Sequence, residues 1–285
     1  MLRISTAILA ALIALTTFAQ VTLASADEQA LAQATDSRSE EARSRDGARH
    51  PQQTLAFFKV EPGMTVAEVL PGSGWYTAIL ANYLGGDGAL FGINYPQTMW
   101  PLFNQSDKWV AEHVAATAKF PGMVKGFTDN GIATQSFTFN TVPQEVAGTV
   151  DRILMIRALH NLNRFESVAG TRTHALAAMR SMLKDNGLVG VVQHRAPESA
   201  SNEWADGSKG YLKQSAVIAM FEAMNFQLLA TSEVNANPKD QPGVDDIVWR
   251  LPPSLSTSRE DPELHAAMLS IGESDRMTLL FRKLP

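Results

Sequence analysis

The stretch Thr65–Trp75, with the sequence TVAEVLPGSGW, decides the fold of this chain. It begins as a short apolar run, which predicts a buried strand, and it ends in a turn built from proline and glycine. The following segment, 75–84, carries apolar residues on one face and has two glycines just past its end, which predicts a helix. A strand that passes through a glycine turn into a helix is the opening unit of a parallel α/β sheet.

Strands and helices alternate along the rest of the chain. The strongest predicted strand is 150–156, whose continuous apolar run is typical of a strand covered on both faces. Other strands are predicted at 89–93, 188–192, 226–230 and 277–281, with weaker candidates at 124–127 and 135–139. Helices are predicted at 51–58, 107–120, 167–184 and 211–224. We therefore predict a Rossmann-like, seven-stranded, mainly parallel sheet with helices on both faces, and an antiparallel last strand because no helix is predicted before it.

The amino-terminal segment 1–26 predicts a cleavable export signal. Arg3 gives a positive start, an apolar run follows over 4–18, and Ala24 and Ala26 supply the small residues that a signal peptidase recognises. The run is too short to span a bilayer comfortably, although an uncleaved anchor is the alternative. We expect cleavage after Ala26, a periplasmic or secreted protein, and no stable membrane insertion once the signal is removed.

Two segments that differ in composition follow the predicted signal. Residues 27–50 are rich in charge and contain one branched aliphatic, Leu31, which predicts an exposed helical arm, and the compact domain is expected at 51–285. A net charge of −5 argues against a nucleic-acid partner. The chain has no cysteine, and its six histidines are dispersed, so no metal site is expected.

Three familiar glycine turns fit the first strand poorly. A dinucleotide-binding turn needs a glycine where Thr77 stands, and a hydrolase nucleophile elbow centred on Ser73 needs glycines where Pro71 and Trp75 stand. The phosphate-binding loop needs a Gly-Lys-Ser/Thr sequence, which does not follow the turn. None of these three ligand sites is favoured.

The turn instead resembles motif I of the class I, Rossmann-like S-adenosylmethionine-dependent methyltransferases, in which an acidic residue precedes a glycine turn. Glu68, Gly72 and Gly74 match that motif, and Leu70 stands where its first glycine belongs. The resemblance implies S-adenosylmethionine as the cofactor, with contacts from Gly72, Ser73 and Gly74. In this family the acidic residue is part of the same cofactor site.

The resemblance also implies two further cofactor contacts. Asn94, after the second strand, occupies the position of the acidic residue that holds the ribose hydroxyls, and an amide bonds a hydroxyl less strongly than a carboxylate does. Asp129 occupies the position that often contacts the adenine ring. Together with the segments His50-Pro51, 157–161, 183–188 and 211–213, residues 50 to 285 are similar to a group of exported bacterial proteins predicted to be methyltransferases.

Candidate catalytic residues follow the two strongest central strands. Arg157 and His160 come after 150–156, and His194 closes the next strand, so all three are expected where ligands bind in open α/β sheets. His160 is either a general base or a histidine bonded to a neighbouring loop. Arg195 either binds a substrate carboxylate or phosphate or forms a surface ion pair.

Two functions from different classes remain open on the sequence. The resemblance implies methyl transfer from S-adenosylmethionine to an unidentified small acceptor. The alternative is an exported, non-catalytic protein that uses this fold to bind a small, nucleoside-like molecule. The departures at Leu70 and Asn94 favour the alternative, whereas the candidate residues at the sheet edge favour the enzyme.

Overall fold

The computed structural model describes residues 27–285, so the predicted export signal lies outside the described residues. The strands are β1 Thr65–Val69, β2 Ala89–Asn94, β3 Ala133–Thr138, β4 Val150–Ile156, β5 Leu183–Ala196, β6 Leu212–Lys213, β7 Phe226–Ser232 and β8 Arg276–Lys283. The helices are α1 at 27–36, α2 Glu40–Arg43, α3 Asp46–Arg49, α4 Pro51–Phe57, α5 Thr77–Tyr83, α6 Asp107–Phe127, α7 Leu159–Arg164, α8 Glu166–Ala169, α9 Thr171–Met182, α10 Gln214–Glu222 and α11 Pro262–Ile271. No helix within 27–285 is long and apolar enough to cross a membrane.

Seven of the strands form one path in the order β3-β2-β1-β4-β5-β8-β7, and the short β6 pairs with β5 beside it. Strands β1 to β5 are parallel neighbours, whereas β8 runs antiparallel to both β5 and β7. The Rossmann-like, mainly parallel sheet is therefore confirmed, including its antiparallel last strand. Because the order of the strands reverses between β1 and β4, a crevice opens at the carboxyl ends of these two strands.

Helices cover both faces of the sheet, because successive side chains of a strand point to opposite faces. In β4, Ile153 and Met155 belong to one buried apolar cluster, and Leu154 between them belongs to the other. The first cluster includes residues of α9 and α10, and the second includes residues of α4 and α5. At Gly190 of β5 the strand has no side chain, which leaves room for an aromatic ring. The ring of Phe58, just past α4, lies over Gly190, where a Cβ atom would approach it to 2.4 Å.

The predicted strand at 124–127 is wrong, because α6 continues through Pro121 to Phe127. Phe120 and Val124 lie one helical turn apart and are both buried, so the apolar residues here have helical rather than strand spacing. The ring of Phe120 lies over Gly92 of β2, which gives this half of α6 its packing surface. A second difference is α11, which lies between β7 and β8 where no helix is predicted.

The prediction of an exposed arm is also wrong. Leu31 and Ala34 of α1 are buried in the same apolar cluster as Leu55 of α4. The indole of Trp75 lies between two arm guanidinium groups, 4.7 Å from that of Arg38 and 4.9 Å from that of Arg49. The charged arm is therefore packed onto the domain beside the glycine turn.

The contact between Phe58 and Gly190 predicts the outcome of two glycine substitutions. Gly190→Ala places a methyl group inside the ring of Phe58, and we expect a loss of about 1–3 kcal/mol in the free energy of unfolding. Gly122→Ala, in the middle of α6, meets no atom within 4 Å and should gain up to about 1 kcal/mol because alanine favours a helix. Urea unfolding of the 27–285 protein measures both, and a Gly190→Ala variant as stable as the parent would contradict the packing described.

Candidate active site

Strands β1 and β4 both end in a residue with a left-handed backbone. Leu70 has φ of 52° and Arg157 has φ of 58°, a conformation that costs a non-glycine residue strain. Both residues still continue the sheet, since the N–H of Leu70 donates to the carbonyl of Ile93 and that of Arg157 donates to the carbonyl of Val192, each at 2.7 Å. Leu70 therefore has the backbone conformation that a glycine at this position would adopt most easily.

A cavity of about 210 Å³, here called the turn cavity, lies between the carboxyl ends of β1 and β2 and helix α6. Gly72 has φ of 60°, and a Cβ atom there would have no neighbour nearer than 3.9 Å, so the backbone borders open space. The cavity has both apolar and polar walls. It is lined by Leu70, Pro71, Gly72, Gly92, Ile93, Asn94, Trp100, Glu112, His113, Ala116, Thr117, Phe120, Met123 and Ser136.

Polar groups of the turn cavity have defined orientations. The side-chain amide of Asn94 donates to the carbonyl of His113 at 3.3 Å, and its oxygen accepts the N–H of Tyr95 at 2.8 Å. Asn94 keeps one N–H and one oxygen lone pair for a ligand. Nδ1 of His113 lies 2.7 Å from the carbonyl of Trp109 and so carries the proton, which leaves Nε2 as an acceptor. The α6 residues Glu112 and His113 were not predicted, because nothing in their sequence spacing links them to the ends of β1 and β2.

Ser73 and Gly74 line a different space. They border a groove of about 600 Å³ between the turn and the arm, here called the arm groove. A Cβ atom on Gly74 would lie 2.6 Å from the sulfur of Met123 and 2.8 Å from the ring of Phe127, so α6 covers this glycine. The structure thus brings Gly72 and Asn94 together in the turn cavity and separates Ser73 and Gly74 from them.

Glu68 is buried within β1 and lines neither space. Its carboxyl group accepts a hydrogen bond from the hydroxyl of Thr77 at 2.6 Å. Burial raises the pKa of Glu68 to about 8, although the Thr77 hydrogen bond acts in the opposite direction. The carboxyl group is therefore mainly protonated at neutral pH.

Asp129 lies at the opposite edge of the sheet from these residues. It precedes β3, whose first residue, Ala133, pairs with Ala89 at the start of β2. The segment before it, 124–127, belongs to α6. Asp129 therefore does not line the turn cavity, and Thr138 occupies the carboxyl end of β3.

The predicted catalytic residues lie together at the carboxyl edge. The amide nitrogen of Gln193 donates to the carbonyl of Gly210 at 2.8 Å, so its oxygen faces His160, 3.3 Å from both the backbone N–H and Nδ1. Nδ1 of His160 therefore carries the proton and Nε2 holds the lone pair. Burial lowers the pKa of His160 to about 4, with Arg157 contributing in the same direction, so the ring is neutral at physiological pH.

His194 is the second neutral histidine of this edge. Its Nδ1 lies 2.5 Å from the hydroxyl oxygen of Ser274, and its ring centre is 5.6 Å from that of His160. Burial, followed by the effects of His160 and Arg157, holds the pKa of His194 well below its usual value. The structure thus places the partly buried Arg157 beside the buried His160 and His194 in one polar region, where neither histidine adds charge at neutral pH.

Beside this region three arginines surround one carboxylate, a set here called the arginine cluster. Glu273 accepts hydrogen bonds from Arg45 and Arg49, each at 3.1 Å, and from Arg276 at 3.0 Å. Glu273, Arg49 and Arg276 are buried. Because Arg45 and Arg49 belong to the arm and Arg276 begins β8, the cluster joins two ends of the chain, and sequence spacing gave no signal for it.

Arg195, by contrast, forms ion pairs with side chains of the protein, which is the second of the two roles considered for it from the sequence. Its guanidinium group donates to the carboxylate of Asp275 at 2.8 Å and to that of Glu233 at 2.6 Å. Glu233 is largely exposed. The guanidinium of Arg195 is therefore already partnered within the described part of the chain, unlike that of Arg157.

Comparisons with known proteins report on the fold. No family model matches the chain, and no curated protein matches it. Among solved structures, the chain is similar to the [4+2]-cyclase SpnF, with 15% identity over 83% of this chain and 80% of that one and a TM-score of 0.51. A chain from the complex of the Haloferax volcanii Trm112 methyltransferase activator gives 19% identity, coverage of 89% and 95%, and a TM-score of 0.50. At these identities the similarity shows a shared Rossmann-like fold.

The arginine cluster predicts a large difference between two glutamate substitutions. Glu273→Ala leaves buried guanidinium groups without their carboxylate, and we expect a loss of about 3–5 kcal/mol in the free energy of unfolding. Glu233→Ala removes an exposed carboxylate from Arg195, which keeps Asp275, and should cost no more than about 1 kcal/mol. Urea titrations measure the free energy of unfolding of both variants. Equal losses would show that Glu273 does not stabilise the buried arginines as described.

The raised pKa of Glu68 predicts how stability depends on pH. The folded protein holds this proton more tightly than the unfolded chain, so the contribution is complete below pH 4.5 and is lost as pH rises through about 8. Glu68→Gln stays neutral and can still accept from Thr77. We therefore expect the variant to gain stability relative to the parent as pH rises from about 5 to 9. Unfolding measured across this range checks the prediction, and parallel curves for the two proteins would refute it.

Proposed function

We propose that the protein transfers a methyl group from S-adenosylmethionine to a small acceptor. The observation that carries the proposal is the turn cavity, in which Gly72, after β1, and Asn94, the last residue of β2, line one space at the carboxyl ends of the strands. Bound there, S-adenosylmethionine would supply a methyl group on a sulfonium, whose carbon a nucleophile attacks as the carbon–sulfur bond breaks and S-adenosylhomocysteine leaves. The left-handed Leu70 supports this choice over the non-catalytic alternative, because its backbone has the φ that a glycine at this position would adopt easily.

The residues of the turn cavity fit such a cofactor chemically. Gly72 allows a close approach to the backbone, and Asn94 offers a donor and an acceptor to ribose hydroxyls. Trp100 and His113 provide aromatic surface, and Glu112 is the one carboxylate among the residues that line the cavity. This set combines apolar walls with a few polar groups, as is typical of small-molecule sites.

In this proposal the chain contributes alignment and proton transfer. His160 accepts a proton from the acceptor through Nε2, because its Nδ1 proton is held by Gln193. Arg157 and His194 position the acceptor at the same edge, which lowers the barrier by orienting the reacting groups. We place the reaction outside the cytoplasm on the basis of segment 1–26, in agreement with the resemblance to exported bacterial proteins.

Calorimetry of the 27–285 protein with S-adenosylmethionine and S-adenosylhomocysteine tests the proposal. We expect both to bind, and Gly72→Val to abolish binding because its side chain fills the turn cavity. Gly131→Val is the matched control, since Gly131 also has positive φ and open space but lies before β3 at the other edge. Asn94→Ala should weaken binding, and Asp129→Ala should not.

Absence of binding to folded parent protein contradicts the proposed function. Equal losses in Gly72→Val and Gly131→Val contradict the assignment of the turn cavity, because they would reflect backbone strain alone.

A further inference from the structure

Arg157 is a cation without a counterion. Its Nε atom is buried and has no hydrogen-bond partner, and no carboxylate within residues 27–285 forms an ion pair with it. Burial, together with the nearby charges of Arg49 and Arg276, lowers the pKa of Arg157 to about 9, which leaves it charged at neutral pH. Arg157 as a whole is partly buried, but its Nε–H meets neither solvent nor an acceptor within residues 27–285, so an acceptor supplied by a ligand would satisfy it.

The surroundings of Arg157 are short of negative charge. Within residues 27–285, Glu273 is the only carboxylate that pairs with Arg45, Arg49 and Arg276, and the three arginines share it. Nε of Arg276 is likewise buried with no partner. Because His160 and His194 are neutral, the region carries an excess of positive charge that comes from guanidinium groups alone.

The side chain of Arg157 is held at a defined place in the fold. Its strained left-handed backbone sets the side chain immediately past β4, at the crevice beside β1 and close to His160. Strain of this kind persists where the surrounding structure holds a functional group in place. Guanidinium groups suit carboxylates and phosphates in particular, because their planar fork can donate two parallel hydrogen bonds to two oxygens.

We propose that Arg157, reinforced by Arg49 and Arg276, binds an oxyanion of the methyl acceptor, which is therefore an acidic small molecule bearing a carboxylate or a phosphate. This inference rests on the proposed function, because it names the substrate class of the same site. The carboxylate of the cofactor is the other possible source of such an oxyanion, and the experiment separates the two sources.

Thermal unfolding of the 27–285 protein in inorganic phosphate, against chloride at equal ionic strength, tests the site. We expect phosphate to raise the Tm of the parent by about 2–4 °C more than that of Arg157→Gln. The difference between the proteins is the readout, because phosphate stabilises proteins in general. In chloride Arg157→Gln should be at least as stable as the parent, since it removes a partly buried cation that forms no ion pair within residues 27–285. Arg195→Gln, which loses a partnered cation at the end of β5, should keep the full phosphate response.

Calorimetry with S-adenosylmethionine then identifies the source of the oxyanion. An acceptor site predicts the same cofactor affinity in parent and Arg157→Gln, and no competition from phosphate. Competition, with loss of affinity in the variant, assigns the oxyanion to the cofactor and overturns the inference.

Other outcomes also overturn the inference about Arg157. Arg157 has a structural role if phosphate raises the Tm of parent and variant equally, or if Arg157→Gln does not fold in chloride. In either case the proposed function still stands if the parent binds S-adenosylmethionine. A phosphate response that depends on Arg157, without any binding of S-adenosylmethionine to the parent, retains an anion site but removes the proposed function and with it the acceptor.

Discussion

Parallel strands must end at the same edge of a sheet, and the candidate site depends on this constraint. In this protein the order reverses between β1 and β4, so the chain leaves these two strands toward opposite sides of one crevice. Both strands end in a left-handed residue, Leu70 or Arg157, whose N–H still bonds to the neighbouring strand. The sheet is therefore complete up to the crevice, and the next side chain is presented from a rigid edge.

Electrostatics at this edge depend on the arm as much as on the sheet. Burial keeps His160 and His194 neutral, so the positive charge comes from arginines, two of which, Arg45 and Arg49, belong to the arm. Their shared carboxylate, Glu273, lies just before β8. A segment whose composition indicates a solvated arm thus supplies part of the charge around the crevice and is held there by a buried ion pair.

Strand ends could be predicted from the sequence, because a continuous apolar run such as 150–156 fixes both the strand and the residues that follow it. This placed Arg157 and His194 at the correct edge. The error at 124–127 arose because the same apolar residues can have helical spacing, and the helix is favoured by packing, including that of Phe120 on Gly92. The contributions of α6 and the arm depend on contacts distant in sequence, which no local pattern encodes.

The glycine turn shows why a motif alone does not define a ligand site. Gly72 and Gly74 both have positive φ, and the resemblance described above implies that both contact the cofactor. Open space adjoins Gly72, whereas Met123 and Phe127 of α6 fill the space over Gly74. The absence of a side chain therefore has a different effect at each glycine. At Gly72 it leaves space that a ligand can enter, and at Gly74 it allows α6 to pack closely.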